Sequence, residues 1–478
     1  MLLGITLGSV ILSIRTKFAI LSVFGSLIFV LILFKTEIGF LLAVAAIPFE
    51  MLGALTALGP SAGFTSVSII KILALITCLS WLIQKLKMRT EVLTAPQLVV
   101  ISGLILIAVF SFVFIEAHFE KKAKSYLLSY IIYFGIFFMT LNIVRSKEIL
   151  KRLIIVLIIV GVAASLFSFV QRWVPAFHGE AKTLYDDIYG LYGAIIDYSE
   201  YASLGRIMRT SSGMVGHDMF ALFLALVIPL SFYHLEVSKL RLSKIGWMGI
   251  MSIQIIALAL TYSRGGTLML LIIFLLMIMR RVVKPSWEKI FISIASVAII
   301  SIVVATSTTA LDRIFSIGHF MESKSVSARF ELMRAGLNMF KDHNYLIGVG
   351  MGNFDYNLPE YSDTIPFYYE PNNEFLRVFV EMGIFGLLLS LMLYGLTFRD
   401  FRIAQKNYQK KGDLLMCNLA KTLEICFVGF LFFSMTQTTI GRKEWPLVMA
   451  LAIVLKRLSM RSDAINSKIT GNDKTGAT

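Results

Sequence analysis

A helix that crosses about 30 Å of hydrocarbon needs roughly 20 mainly apolar residues. Runs of that kind lie near 18–34, 38–58, 67–84, 97–115, 126–143 and 153–170 of the chain. Others follow near 217–233, 245–262, 265–280, 289–307, 376–397, 419–438 and 444–458. The runs are continuous, not alternating, so they predict helices and not the strands of a closed barrel. The expected fold class is an all-α polytopic membrane protein, a bundle of about 12–14 transmembrane helices. A large external helical loop interrupts it between late spans. Residues 1–462 form the bundle, with external loops 171–213 and 308–375, and the polar, small-residue-rich stretch 463–478 is expected to be a disordered cytoplasmic tail.

Lys and Arg choose the side. Segments 85–96, 144–152, 234–244, 280–289, 399–418 and 456–478 fall on one common side and hold 24 Lys+Arg against 8 Asp+Glu. The two long loops fall on the other side, with 9 Lys+Arg against 14 Asp+Glu. The basic side is therefore read as cytoplasmic. Arg15 and Lys17 run against this pattern, which leaves the first hairpin unassigned. Residues 1–14 lack a charged leader and a small-residue cleavage site, so no cleaved signal peptide is expected.

Composition narrows the function. The 478 residues are 57% hydrophobic and 16% charged, with a mean hydropathy of +0.78. That excludes a soluble enzyme, a disordered chain and a disulfide scaffold. The net charge of +15 follows from the loop asymmetry, so no nucleic-acid partner is expected. Cys78, Cys417 and Cys426 lie in or beside apolar runs without metal-ligand spacing.

Polar residues at the rim of a membrane bundle tend to serve a site, and four stretches fall on the external side. Ser263-Arg264-Gly265-Gly266 joins two spans by a tight turn, which fixes Arg264 at the mouth of the bundle. There its guanidinium grips phosphate or carboxylate, or snorkels as a helix cap. Arg206 and Arg209, three apart, precede a glycine-led entry to a span that begins with His217 and Asp218, a setting for an anion or a plain cap. Residues 325–341 predict an amphipathic helix with Phe330, Met333, Leu337 and Phe340 facing the membrane surface or the bundle roof. Arg329 and Arg334 stand about 140° apart on it, and His343 follows, ahead of the Gly348-Val349-Gly350 turn. The fourth stretch runs from Pro366 through Tyr368, Tyr369, Asn372 and Asn373 to Glu374. Its rings and amides suit a sugar, or an interfacial aromatic belt. Glu374 is either a base raised by burial or a partner of the helix dipole.

These segments, in this order, resemble the O-antigen ligase and O-antigen polymerase superfamily. The resemblance is densest from Arg209 to Gly386. It is carried by Gly213 to Ala221, by Thr261-Tyr262-Ser263-Arg264-Gly265 and by Arg329 and Arg334. It continues in Asp342-His343-Asn344-Tyr345-Leu346-Ile347-Gly348-Val349-Gly350, Asn373-Glu374-Phe375-Leu376 and Glu381-Met382-Gly383-Ile384-Phe385-Gly386. It implies a glycosyltransferase without metal or other cofactor, fed by polyprenyl-diphosphate-linked glycans on the outer face of the bacterial inner membrane. Ligases pass the glycan to lipid A-core, and polymerases pass it to another lipid-linked repeat unit. The sequence departs from the family where ligases carry His, which is Asn372 here, and at Asp218, where Asn is usual. An amide removes no proton at neutral pH, and this tilts the reading toward polymerase, with a chain-length regulator among its expected partners.

The mechanism expected is inverting transfer. Arg264, Arg209, Arg206, Arg329 and Arg334 are the candidates for holding diphosphate. Glu374, Asp218, Asn372 and His343 are candidates for acid–base work or for orienting the acceptor, and Tyr368, Tyr369 and Asn373 for the glycan. Asp186-Asp187 is the only adjacent acidic pair in the external loops and is read as solvated, so no metal site is expected. The competing classes are a flippase or exporter and a non-catalytic scaffold. One-sided placement of the polar groups argues against transport.

Overall fold

The computed structural model describes residues 25–49, 69–89, 91–173, 210, 212, 214, 216–280, 282, 324–365, 370–440 and 442–472. The span expected at 289–307, most of loop 171–213, and residues Arg15, Lys17, Asp186, Asp187, Arg206, Arg209, Tyr368 and Tyr369 lie outside them.

The described chain is helical. α1 is Gly25–Phe34. It is followed by α2 Thr36–Ala45, a 3-10 turn at Ile47–Phe49, α3 Ile69–Met88, α4 Pro96–Phe114, α5 Glu120–Ile143 and α6 Lys147–Trp173. Next come α7 His217–Val237, α8 Arg241–Leu260, α9 Arg264–Met279, α10 Lys324–Asp342 and α11 Phe354–Tyr361. The last are α12 Glu374–Lys410, α13 Leu414–Ser434 and α14 Glu444–Asn472. Seven of these, α4 to α8 with α12 and α13, are long and apolar enough to cross a membrane, while α1, α2 and α9 are shorter apolar helices. The chain is an all-α polytopic membrane protein. α14 continues through Asp463, where a disordered tail was expected to begin, as far as Asn472.

α7 is the centre, buried on nearly every side and packed against α6, α8, α9 and α13. A helix that is apolar all round has no solvent face to lose, so it belongs inside. Small residues bring its neighbours close. A side chain on Gly266 of α9 would meet the Ala221 Cβ at 2.4 Å. A second group, α4, α5, α12, α13 and α14, packs around α12.

The two ends of the bundle differ. At one, Arg145 reaches the Glu91 carbonyl, Lys147 pairs with Asp413 at 2.7 Å and Lys456 with Asp400 at 2.8 Å. At the same end Arg280 and Arg402 share the buried Glu424. These contacts draw together the short basic segments. The other end carries the first turns of α7, α9, α12 and α14, and α10 with α11. That helical pair forms its own small core, Leu332, Ala335, Met339, Phe354 and Leu358, closed by Leu376 and Val380 of α12.

α12 is broken at Gly383, whose φ of 66° and ψ of −165° belong to glycine alone. The 345–350 turn enters the break: the Val349 N–H donates to the Val380 carbonyl and the Ile384 N–H to the Tyr345 carbonyl, both at 2.9 Å. A Cβ on Gly383 would sit 2.3 Å from the Leu346 oxygen, and one on Gly348 2.2 Å from the Val380 oxygen. The glycine-dense turn is therefore a backbone splice between the external loop and a spanning helix.

Candidate functional site

The site forms where four helices begin. Ser263 caps α9 by accepting the Gly266 N–H at 3.1 Å, and its hydroxyl donates to Asp218 in the first turn of α7. One serine thus ties together the starts of two helices and holds Arg264 beside them, with its side chain exposed at the rim. The other Asp218 oxygen faces the His217 ring at 3.3 Å and the Gln437 amide at 3.4 Å.

Gln437 belongs to the α13–α14 linker. Two residues further on, the Thr439 and Ile440 N–H groups donate to Glu374 at 2.8 and 3.1 Å. The Tyr133 hydroxyl donates to the Thr439 carbonyl and accepts the Arg442 N–H. The linker therefore bridges Asp218 at the start of α7 and Glu374 at the start of α12. Helix N-termini carry partial positive charge and unpaired N–H groups, so their convergence makes this rim attractive to anions.

Glu374 heads a buried ion network. Arg377, fully buried, engages both Glu374 oxygens and donates to Glu381 at 3.0 Å. Its guanidinium lies 4.9 Å from the Tyr126 ring centre and bonds the Tyr130 hydroxyl. Beyond it Lys122 pairs with Asp355 of α11 and stands 3.7 Å from Glu370. Four carboxylates thus share two cations. Burial pushes the Asp355 carboxyl up to about 6, against the pull of Lys122. A cavity of about 30 Å³, lined by Tyr130, Tyr133, Tyr394, Ser390, Thr439 and Glu374, opens beside the network. It has room for a water or two.

Several sequence candidates meet here: Asp218, Arg264, Glu374 and, at the α12 entry, Asn372 and Asn373. Asn373 caps α12, its side-chain oxygen accepting the Leu376 N–H at 3.1 Å. Asn372 has φ +47°, a left-handed conformation that asparagine tolerates, so its position answers a demand of the turn. Arg329, Arg334 and His343 stand apart, exposed on or just beyond α10, with the His343 ring bonded to the Met339 carbonyl. Arg206, Arg209, Tyr368 and Tyr369 lie outside the described residues.

Arg377, Glu381, Lys122, Asp355, Tyr130, Tyr133 and Gln437 were not among the sequence candidates. Glu374, Arg377 and Glu381 sit at i, i+3 and i+7 inside an apolar span, a signal of internal pairing that the sequence carries openly. Lys122 and Asp355 are 233 positions apart, and no local pattern joins them.

The arrangement defines a class: a polytopic helical membrane protein with a polar, anion-attracting rim at one end and a buried ion network beneath it. The match to known families is more particular. Residues 249–391, from within α8 to the middle of α12, match the family model described as O-Antigen ligase. The match supports the O-antigen ligase and polymerase superfamily that the sequence resembles, and it covers Arg264, Asn372 to Glu381 and Gly383. No curated protein matches the chain.

Proposed function

We propose that the protein is a membrane glycosyltransferase acting on polyprenyl-diphosphate-linked oligosaccharides at the outer face of the bacterial inner membrane. Its large loops are then periplasmic, and its reaction polymerises repeat units of a surface polysaccharide, an O-antigen, capsule or exopolysaccharide. The observation that carries this reading is the meeting of Arg264, Asp218 and the α12 start around one linker, at the end away from the basic loops.

In this reading Arg264 holds the diphosphate, with Arg206 and Arg209 as further contacts. The acceptor hydroxyl oxygen bonds to the anomeric carbon from the side opposite the diphosphate, so the configuration inverts. The bond to the diphosphate oxygen breaks, and its electron pair stays on that oxygen. Fixed positive groups stabilise this charge without reorganising. No metal enters the scheme. Asp218, with 26% of its side chain exposed, takes the hydroxyl proton. Glu374, 11% exposed and bonded by Arg377 and two backbone N–H groups, orients the α12 entry. Tyr368, Tyr369 and Asn373 then line the glycan.

Transfer to lipid A-core is the second reading, favoured by the family description. Purified protein given lipid-linked repeat units lengthens the glycan if it is a polymerase. It leaves length unchanged and labels added lipid A-core if it is a ligase, and it only moves the donor across the bilayer if it is a flippase. Arg264→Ala should abolish product while the protein stays in the membrane, and product at the native level would refute the assignment. A chain-length regulator is the expected partner of the polymerase alone.

A further inference from the structure

α10 carries two apolar faces. Leu332, Ala335 and Met339 are fully buried against α11 and α12, and they hold the helix to the bundle. Phe330, Met333 and Leu337 point the other way and are 55, 43 and 43% exposed. At 100° per residue these three fall within an arc of about 60°. Arg329 borders that arc on one side, and Arg334 and Lys341 border it on the other, all three exposed. Glu331 and Asp342 lie outside it, so the outward face pairs an apolar centre with cationic edges. A helix lying in a membrane interface has that composition.

The face also continues into a surface of the same character. Phe340 of α10 stacks on Phe379 of α12 at 3.9 Å and meets Tyr345 edge-on at 5.4 Å. Tyr345 and Leu346 are themselves exposed, and at the splice the Ile384 N–H, one residue before Phe385, donates to the Tyr345 carbonyl. From Phe385 the exposed apolar row runs along α12 through Leu388, Leu391 and Met392, within a helix long and apolar enough to span the bilayer. The exposed apolar row on α12 thus leads, through the splice and Phe340, toward the outward face of α10.

We propose that α10 docks on the anionic lipid surface, with Phe330, Met333 and Leu337 in the upper acyl region and Arg329, Arg334 and Lys341 at the level of the lipid phosphates. The helix is then a float that keeps α11 and the α12 entry at a constant depth. Anionic headgroups attract such juxtamembrane cations. The docking does not depend on the catalytic reading, because it concerns lipid and not donor.

The test uses the full chain with Cys78, Cys417 and Cys426 replaced by serine and a bimane label on Leu337→Cys. The protein is reconstituted in vesicles of phosphatidylcholine with phosphatidylglycerol. A nitroxide at the headgroup should quench the label strongly, and aqueous iodide should quench it weakly. The iodide arm should rise when Arg334→Gln and Lys341→Gln are added, or when phosphatidylglycerol is omitted. Strong quenching by iodide from the outset overturns the proposal, because the face is then in water. Protection from both quenchers also overturns it, because protein then covers the face. The far-ultraviolet circular dichroism of each sample reports whether it is folded.

Discussion

Glu374 and Asp218 are both carboxylates in the first turn of a helix at the same rim, and their surroundings separate them. Glu374 accepts from two backbone N–H groups and a buried arginine. Asp218 has a hydroxyl on one oxygen and a long contact to an amide on the other, and it is half open. Glu374→Gln should therefore lower thermal stability in detergent. Asp218→Asn should leave the melting temperature close to native and reduce turnover about 10²–10⁴-fold, the usual contribution of a positioned base. The reverse pattern would exchange the two roles. Arg377→Ala removes the cation that bonds both Glu374 and Glu381. Breaking a buried pair costs about 3–5 kcal/mol, so this variant should fail to accumulate or melt far below the parent. Asn372 shows what one residue's identity conceals: its side chain suggests chemistry, and its φ of +47° gives the turn as sufficient reason for it.

At the scale of elements, the splice at Gly383 and the pairing of α11 make the firmest expectations. Gly383→Ala puts a side chain into a backbone conformation that costs about 1–3 kcal/mol and also against the Leu346 oxygen. The expected outcome is loss of protection at Val349 and Ile384 in hydrogen exchange, with α7 to α9 unaffected. The Asp355 carboxyl titrates near 6 when folded against 3.8 unfolded. A raised carboxyl keeps its proton longer in the folded state, so its contribution is complete below about 4. It is lost as pH rises through about 6. Hydrogen exchange in α11 should quicken across that window, and Asp355→Asn should flatten the response. Helix positions were readable from apolar runs because hydrocarbon thickness sets their length, as at 97–115 for Pro96–Phe114. The network beneath the rim was readable only within α12. Its other members come from α5 and α11, and side chains 233 positions apart meet through packing alone.

For the whole molecule, the basic segments gather at one end and the candidate site at the other. If that basic end faces the cytoplasm, an impermeant thiol reagent should label Asp363→Cys in intact cells. Lys410→Cys should react only after permeabilisation, each in a background without native cysteines. The opposite result would turn the molecule over. Charge asymmetry made this grouping legible in advance, because the loops that hold Arg and Lys are short and numerous. The close seating of α9 on α7 was not legible, since it rests on small-residue contacts such as Gly266 against Ala221.

The stretch joining Asp218 to Glu374 lies between α13 and α14 and leaves the ribosome after both carboxylates. Every group that grips the donor on this reading is synthesised earlier, yet among the described residues it is this later stretch that ties the two carboxylates together. On this reading, a chain halted before that stretch is idle.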